Sequence, residues 1–174
     1  PEGLLLTNNH MGLYYFQNHI SQEQNYLEDG FWAMNKEEEL SNPGLGVTFL
    51  VRIEDVTARI LDGLEEGVKE DAREDHVREK MQEIKDEVTE GTSYGAKIVP
   101  FYYGNEYYLI VTQTYTDVRL VAAPPRSIGK FGGETDNWLW PRHNADFMMF
   151  RVYAAPDGSP APYSEENIPL TPKK

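Results

Sequence analysis

The fold class is decided by the stretch Lys97-Ile-Val-Pro-Phe-Tyr-Tyr-Gly-Asn-Glu-Tyr-Tyr-Leu-Ile-Val-Thr-Gln113. Its two halves are dense in aromatic and β-branched residues, which favour strands, and Gly104-Asn105 between them is typical of a hairpin turn. Further strands are predicted at Leu4–Thr7, Val47–Ile53, Asp117–Ala123 and Asp146–Tyr153. Alternating apolar residues in Val47–Ile53 predict one half-buried face. We therefore expect a mainly β fold, a small barrel or sandwich.

A helical segment interrupts this β pattern. From about Asp55 to Gly91, apolar residues recur every three to five positions with acidic and basic residues between them, which predicts helix. We expect a helical hairpin or bent helix that covers one side of the β domain, with His76 solvated. A coiled-coil partner surface is the alternative.

Four segments follow from these patterns. Residues 1–54 form the first part of a β domain, 55–91 a helical insertion, and 92–153 the remainder of the β domain with a functional loop at 124–145. The segment 154–174, rich in proline and glycine, is predicted to be an extended linker toward a further part of the protein.

Composition excludes several functions. With 16 Lys and Arg against 29 Asp and Glu, the net charge of −13 argues against a nucleic-acid partner. The chain has no cysteine, and no apolar stretch reaches the ~20 residues of a membrane-spanning helix. Metal-ligand spacing and a phosphate-binding loop are both lacking, so we expect no metal and no cofactor. The opening Pro-Glu-Gly favours a trimmed product or a fragment.

Two residues suggest a protease. His10 follows a predicted strand and Asp146 opens another, and a base and its orienting carboxylate are two thirds of a serine-protease triad. Each has an ordinary alternative, because His10 can be a structural histidine and Asp146 can cap a turn. No serine in the sequence lies in a Gly-x-Ser-Gly context, so the nucleophile is not visible.

The loop from Lys130 to Arg142 combines glycines with Asn137, Trp138 and Trp140. Such a loop suits a pocket for a polar ligand with a charged end. Alternatively, the tryptophans fill a core.

These strings together resemble the S46 family of serine dipeptidyl peptidases. The resemblance runs through Gly3-Leu-Leu-Leu-Thr-Asn-Asn-His10, Tyr26-Leu-Glu-Asp-Gly-Phe-Trp-Ala33, Phe101-Tyr-Tyr-Gly-Asn-Glu-Tyr-Tyr-Leu109, Ala123-Pro-Pro-Arg-Ser-Ile-Gly-Lys-Phe-Gly-Gly133, Thr135-Asp-Asn-Trp138 and Trp140-Pro-Arg-His143. It implies a chymotrypsin-like N-terminal β-barrel with a helical insertion, in an enzyme that removes dipeptides from free N-termini.

The resemblance also assigns roles. His10 matches the family's base and Asp146 its orienting carboxylate, while Asn137 and Trp138 match the residues that hold the substrate's α-amino group. The serine is expected in a second barrel that this sequence does not reach, so the chain alone should be inactive. A homodimer and a periplasmic or cell-surface location are implied as well.

Departures from the family pattern cluster around the expected base. Asn9 stands where the family has another histidine, Met11 where it commonly has a cysteine, and Asn144-Ala145 where it has Thr-Gly. The family commonly has a disulfide at that cysteine, so the resemblance implies that the change to Met11 affects local stability near His10 more than chemistry. The remaining alternatives are a non-catalytic peptide-binding or structural module, and a chain whose acidic helical region drives oligomerisation.

Overall fold

A computed structural model describes residues 2–19, 25–65, 67–129 and 144–171. In chain order its elements are β1 (Leu4–Thr7), α1 (Asn9–Gln17), α2 (Tyr26–Asp29), β2 (Phe31–Trp32), a 3-10 turn (Lys36–Glu38), β3 (Leu40–Ser41), β4 (Val47–Asp55), α3 (Thr57–Leu61), α4 (Glu70–Thr89), β5 (Tyr94–Phe101), β6 (Glu106–Tyr115), β7 (Asp117–Ala123), α5 (Arg126–Gly129), β8 (Met148–Ala154) and β9 (Ile168–Pro169). A mostly β fold with a few helices is therefore confirmed. The chymotrypsin-like barrel goes further and stays a prediction.

The chain forms two compact units, one of residues 1–47 and 115–174 and one of residues 48–114. We call the first the site unit and the second the helix unit. The helix unit is wider than the predicted insertion of 55–91, because strands β4, β5 and β6 hydrogen-bond to one another in the order β4-β6-β5. Among the described residues, no helix has both the length and the apolar character needed to cross a membrane.

The site unit is built on an antiparallel sheet in the order β1-β8-β7-β2, with β3 also paired to β7 and β9 to β8. Its two long strands, β7 and β8, are almost entirely buried. Leu120 of β7 and Met148 of β8 are both 0 % exposed and lie in a core with Phe31 and Phe150. Burial of this apolar surface is the main stabilising force on the unit.

The site unit also buries charged groups. Arg119 donates from Nε and Nη2 to the two carboxylate oxygens of Asp117 at 3.0 and 2.7 Å, and Asn167 donates to Asp117 at 2.9 Å. Nearby, the Glu39 carboxylate accepts from Arg151 and from the Tyr153 hydroxyl, each at 2.8 Å. Burial and the hydrogen bond to Glu39 raise the pKa of Tyr153, so its hydroxyl stays protonated.

The tail is part of this unit. β9 pairs with β8, the Leu170 N–H donates to the Val152 carbonyl at 2.9 Å, and Asn167 is 9 % exposed. Residues 154–171 therefore do not form the extended linker that their proline and glycine content predicts, because backbone pairing to β8 and the Asn167 amide hold them to the sheet.

The helix unit has the predicted helical periodicity. Val77 and Ile84 of α4 pack with Ile60 of α3 against the inward side chains of β6, which alternate along the strand as Tyr107, Leu109 and Val111. β5 and β6 pair in register from Tyr94↔Gln113 to Phe101↔Glu106, which confirms the predicted hairpin.

Two predictions for the helix unit are wrong. The face of β4 expected to be half-buried is open, with Phe49 40 % and Ile53 57 % exposed, because the core beneath α3 and α4 is filled by β5 and β6 side chains. His76 is only partly solvated: the residue is of intermediate exposure, and its Nε2 is buried with no hydrogen-bond partner among the described residues. The turn after α3 lies beside it, since a Cβ on Gly63 would stand 3.7 Å from its ring.

Candidate active site

His10 lies in the first turn of α1, directly after β1 ends at Thr7. The helix rests flat on β8 at Gly12, where a Cβ would collide with the Met148 sulfur and stand 3.0 Å from Phe150 Cζ. Only glycine allows this close approach. The contact fixes the start of α1, and with it His10, relative to the sheet.

Asn9 anchors the same turn from the other side. Its side chain is 3 % exposed, and a Cβ on Gly129 of α5 would stand 3.0 Å from its Nδ2. A second glycine thus permits close packing, here between α5 and the beginning of α1. The first turn of α1 is held between β8 and α5.

Asp146 precedes β8 and faces this turn. Its Oδ1 accepts from the Asn9 backbone N–H at 2.7 Å, and its Oδ2 accepts from Asn8 Nδ2 at 3.2 Å. The same Oδ2 lies 3.4 Å from His10 Nδ1. The structure therefore brings together the two predicted residues, His10 and Asp146, across more than 130 positions of sequence.

The pKa of Asp146 lies below its ordinary value. Partial burial acts most strongly and in the opposite direction, but it is outweighed by the hydrogen bonds from Asn8 and Asn9 together with the charge of His10. The carboxyl is consequently ionised at neutral pH. An ionised carboxylate holds an imidazole in the tautomer with its proton on Nδ1.

The opposite edge of the ring is open. The His10 side chain is 66 % exposed and that of Asp146 is 32 % exposed. With Nδ1 turned to the carboxylate, Nε2 points away from Asp146 and can take a proton from a hydroxyl. The arrangement has the geometry that a general base and its orienting carboxylate require.

Asn137 and Trp138, the predicted amino-group clamp, lie in residues 130–143, outside the described residues. The residues that flank this segment are described. Ala145 N–H donates to the Ile128 carbonyl at 2.8 Å, which joins the two flanks beside Gly129 and therefore beside Asn9. Both flanks lie next to Asp146.

The sequence patterns do not predict the contacts that Asn8 and Asn9 make with Asp146. In the sequence, Asn9 is a departure from the family pattern and Asn8 is part of a motif. The available signal was the position of two amides between a strand and a helix, immediately before the candidate base. In the described part of the chain, no group of three His, Asp or Glu side chains could hold a metal ion.

Comparison with known proteins identifies the family. The model of peptidase family S46 matches residues 1–174. The chain belongs to this family. The resemblance seen in the sequence is thereby confirmed.

Several S46 peptidases are close relatives. Dipeptidyl-peptidase 7 of Phocaeicola vulgatus is 49 % identical over 179 residues, which cover 100 % of this chain and 25 % of the relative. The Asp/Glu-specific dipeptidyl-peptidase of Flavobacterium psychrophilum is 48 % identical over 173 residues, covering 99 % of this chain and 24 % of the relative. The chain thus spans about a quarter of the length of these curated relatives.

The fold matches a solved structure as well. The crystal structure of Porphyromonas endodontalis DPP11 in complex with the dipeptide Arg-Glu superposes with a TM-score of 0.80 at 47 % identity. The match covers 99 % of this chain and 26 % of that structure. Sequence and fold therefore point to the same group of peptidases.

Proposed function

We propose that this chain provides the general base and its orienting carboxylate to a serine peptidase that releases dipeptides from free N-termini. The observation that carries the proposal is the contact between His10 and Asp146, whose Oδ2 lies 3.4 Å from the imidazole Nδ1. It is supported by S46 membership over the whole chain and by relatives named dipeptidyl-peptidases.

In the proposed reaction, His10 Nε2 takes the proton of a serine hydroxyl as the oxygen attacks the peptide carbonyl. Asp146 stabilises the imidazolium that forms, and the same proton then passes to the leaving amine. The serine is proposed to lie outside these 174 residues. The absence of a serine in a Gly-x-Ser-Gly context supports this, as does the greater length of the relatives.

We further propose that Asn137 and Trp138 hold the substrate's free α-amino group. An amide oxygen accepts from an ammonium, and an indole face attracts its charge. The residues that flank the segment carrying both lie beside Asp146, because Ala145 bonds to Ile128. A clamp there would set the distance from the amino end to the cleaved bond.

The residue preferred at the cleaved bond is proposed to be selected elsewhere in the protein. The chain is 49 % identical to a dipeptidyl-peptidase 7 and 48 % identical to an Asp/Glu-specific enzyme. Near-equal similarity to both supports a specificity pocket outside this segment. A homodimer and a periplasmic or cell-surface location remain predictions from the family resemblance.

The test is an assay of the full-length protein with dipeptidyl substrates that carry a free or a blocked amino end. We expect His10→Ala to lower kcat about 10⁶-fold and Asp146→Asn about 10⁴-fold, and Asn137→Ala mainly to raise KM for the free-amine substrate. Turnover that survives the His10 and Asp146 changes would refute the proposal. Binding of peptides without any turnover by the parent protein would favour the non-catalytic module.

A further inference from the structure

Asn8 contacts the site with its side chain, although it sits between β1 and α1 and lies 138 positions from Asp146 in sequence. Its Nδ2 is 3.2 Å from Asp146 Oδ2. An ionised carboxylate can only accept hydrogen bonds, so the amide must turn its NH2 group toward it. The interaction is therefore a charge-assisted hydrogen bond.

The donors around Asp146 divide between its two oxygens. The Asn9 backbone N–H holds Oδ1 at 2.7 Å, and Asn8 holds Oδ2, which also faces His10 Nδ1. A carboxylate that accepts hydrogen bonds at both oxygens turns less freely about its χ2 torsion than one held at a single oxygen. The Asp146 side chain is 32 % exposed, and these hydrogen bonds help to set its orientation.

We propose that Asn8 is a positioning residue for the reaction: it fixes Asp146 Oδ2 in front of His10 Nδ1 and, by donating to the same oxygen, limits how strongly the carboxylate stabilises the imidazolium. This inference rests on the proposed roles of His10 and Asp146. It adds a third group, which acts through Asp146.

Two effects follow from removal of the Asn8 amide. Among the described residues, Asp146 Oδ2 then keeps only its contact with His10 Nδ1, so the carboxylate is held less firmly, the productive arrangement is populated less often and kcat falls. Oδ2 also loses a competing donor, so its charge is less neutralised and the imidazolium is stabilised more. The base then stays protonated to a higher pH, so the acid limb of the pH profile of kcat/KM moves to higher pH.

The charged surroundings allow a clean test. In the described part of the chain, His10 is the charged group that acts on Asp146, and the other contacts come from the neutral Asn8 side chain and the Asn9 backbone. Asn8→Asp would place a second carboxylate beside the first. It should move the acid limb further upward than Asn8→Ala, because two anions stabilise the imidazolium more than one.

The experiment measures kcat, KM and the pH dependence of kcat/KM for the full-length protein and four variants. Asn8→Ala should lower kcat about threefold to tenfold, the worth of one hydrogen bond, with KM unchanged and the acid limb shifted upward. Asn8→Asp should shift the acid limb further in the same direction. Asn8→Ser, which keeps a short donor, should recover part of the kcat that Asn8→Ala loses. Asn18→Ala is the matched control, because Asn18 is exposed just beyond α1, and it should match the parent.

The outcomes separate this inference from the proposed function. Unchanged kcat and an unmoved acid limb in Asn8→Ala, with turnover lost in His10→Ala and Asp146→Asn, would overturn only the role of Asn8. A lower rate with an unmoved acid limb in both Asn8→Ala and Asn8→Asp would mean a structural role and would overturn it too. Full turnover in His10→Ala or Asp146→Asn would overturn both proposals. If Asn8→Ala does not fold, Asn8→Ser and Asn8→Asp give the same comparison.

Discussion

The ion pairs of the helix unit lie at its surface, whereas the site unit buries charged groups within its sheet. In the helix unit the Arg59–Glu87 pair is 47 % and 65 % exposed. In the site unit the Arg119–Asp117 pair is 9 % and 0 % exposed. The first unit is stabilised mainly by packing, and the second depends also on polar groups that must all find partners.

The two units should differ most in the free energy of unfolding that is lost when an ion pair is broken, because the pair in the site unit is buried. Arg119→Met leaves the Asp117 carboxylate buried with Asn167 as its remaining side-chain donor, and the expected cost is about 3–5 kcal/mol. Amide hydrogen exchange followed by mass spectrometry on the full-length protein should show faster exchange in β7 and β8 and unchanged exchange in α4.

The double variant Asp117→Asn with Arg119→Met is the control, because it removes both charges. It should cost less than the single change, since no unpaired buried charge remains. A double variant that exchanges as fast as the single one would mean that the ion pair is not what stabilises this part of the sheet.

A smaller effect is expected from adding one methyl group at a close contact. Gly12→Ala places a Cβ against Met148 and Phe150, which should cost about 1–3 kcal/mol. Because α1 carries His10, kcat should also fall. Thermal unfolding and the dipeptidyl assay together measure both effects.

Gly95→Ala is the matched change in the helix unit. Its Cβ would meet one atom, the Thr112 hydroxyl at 3.0 Å, and the side chain that carries it can rotate. We expect an effect within about 0.5 kcal/mol and full activity. Equal costs at both glycines would contradict the proposed close packing of α1 on β8.

Acid should weaken the site unit through Asp146. Its folded pKa is lowered below the unfolded value of about 4. The carboxyl therefore contributes stability above that pH, and the contribution is lost as pH falls through the folded pKa. Between pH 6 and pH 3, the protection of α1 against hydrogen exchange, corrected for the intrinsic exchange rate at each pH, should fall more in the parent than in Asp146→Asn, while α4 should respond alike in both. An equal loss of α1 protection in the two proteins would contradict the assignment.

The smallest effect is expected at the exposed pair of the helix unit. Arg59→Ala removes a partner of Glu87 on the surface and should change stability by about 0.5 kcal/mol or less. Hydrogen exchange in α3 and α4 at low and high salt measures it, and the difference from the parent should vanish at high salt. A cost close to that of Arg119→Met would remove the contrast between the units.

Much of the fold could be predicted because its signals are local. β1 and β7 have the predicted bounds, since each is an apolar run that ends at a polar turn or at proline. The hairpin around Gly104-Asn105 and the long helix α4 follow from turn chemistry and from apolar spacing.

What could not be predicted depends on distant residues. The sequence of α1 shows no helical pattern, and the contact of Gly12 with β8 sets the position of this helix. Which face of β4 is exposed depends on which strands the helices cover. The pairing of His10 with Asp146 was proposed from residue types and family resemblance. The roles of Asn8 and Asn9 depend on contacts with Asp146, which lies 138 and 137 positions away in the sequence. No local sequence pattern contains such contacts.

The pairing of β1 with β8, in which Leu4 lies opposite Arg151, has a consequence for synthesis on the ribosome. Residues 48–114 are contiguous and can collapse as soon as they emerge, while β1 must wait for β8, which is made after all of them. During that interval Asp146 has not yet been made. We therefore expect His10 and Asp146 to meet only after the helix unit has already folded.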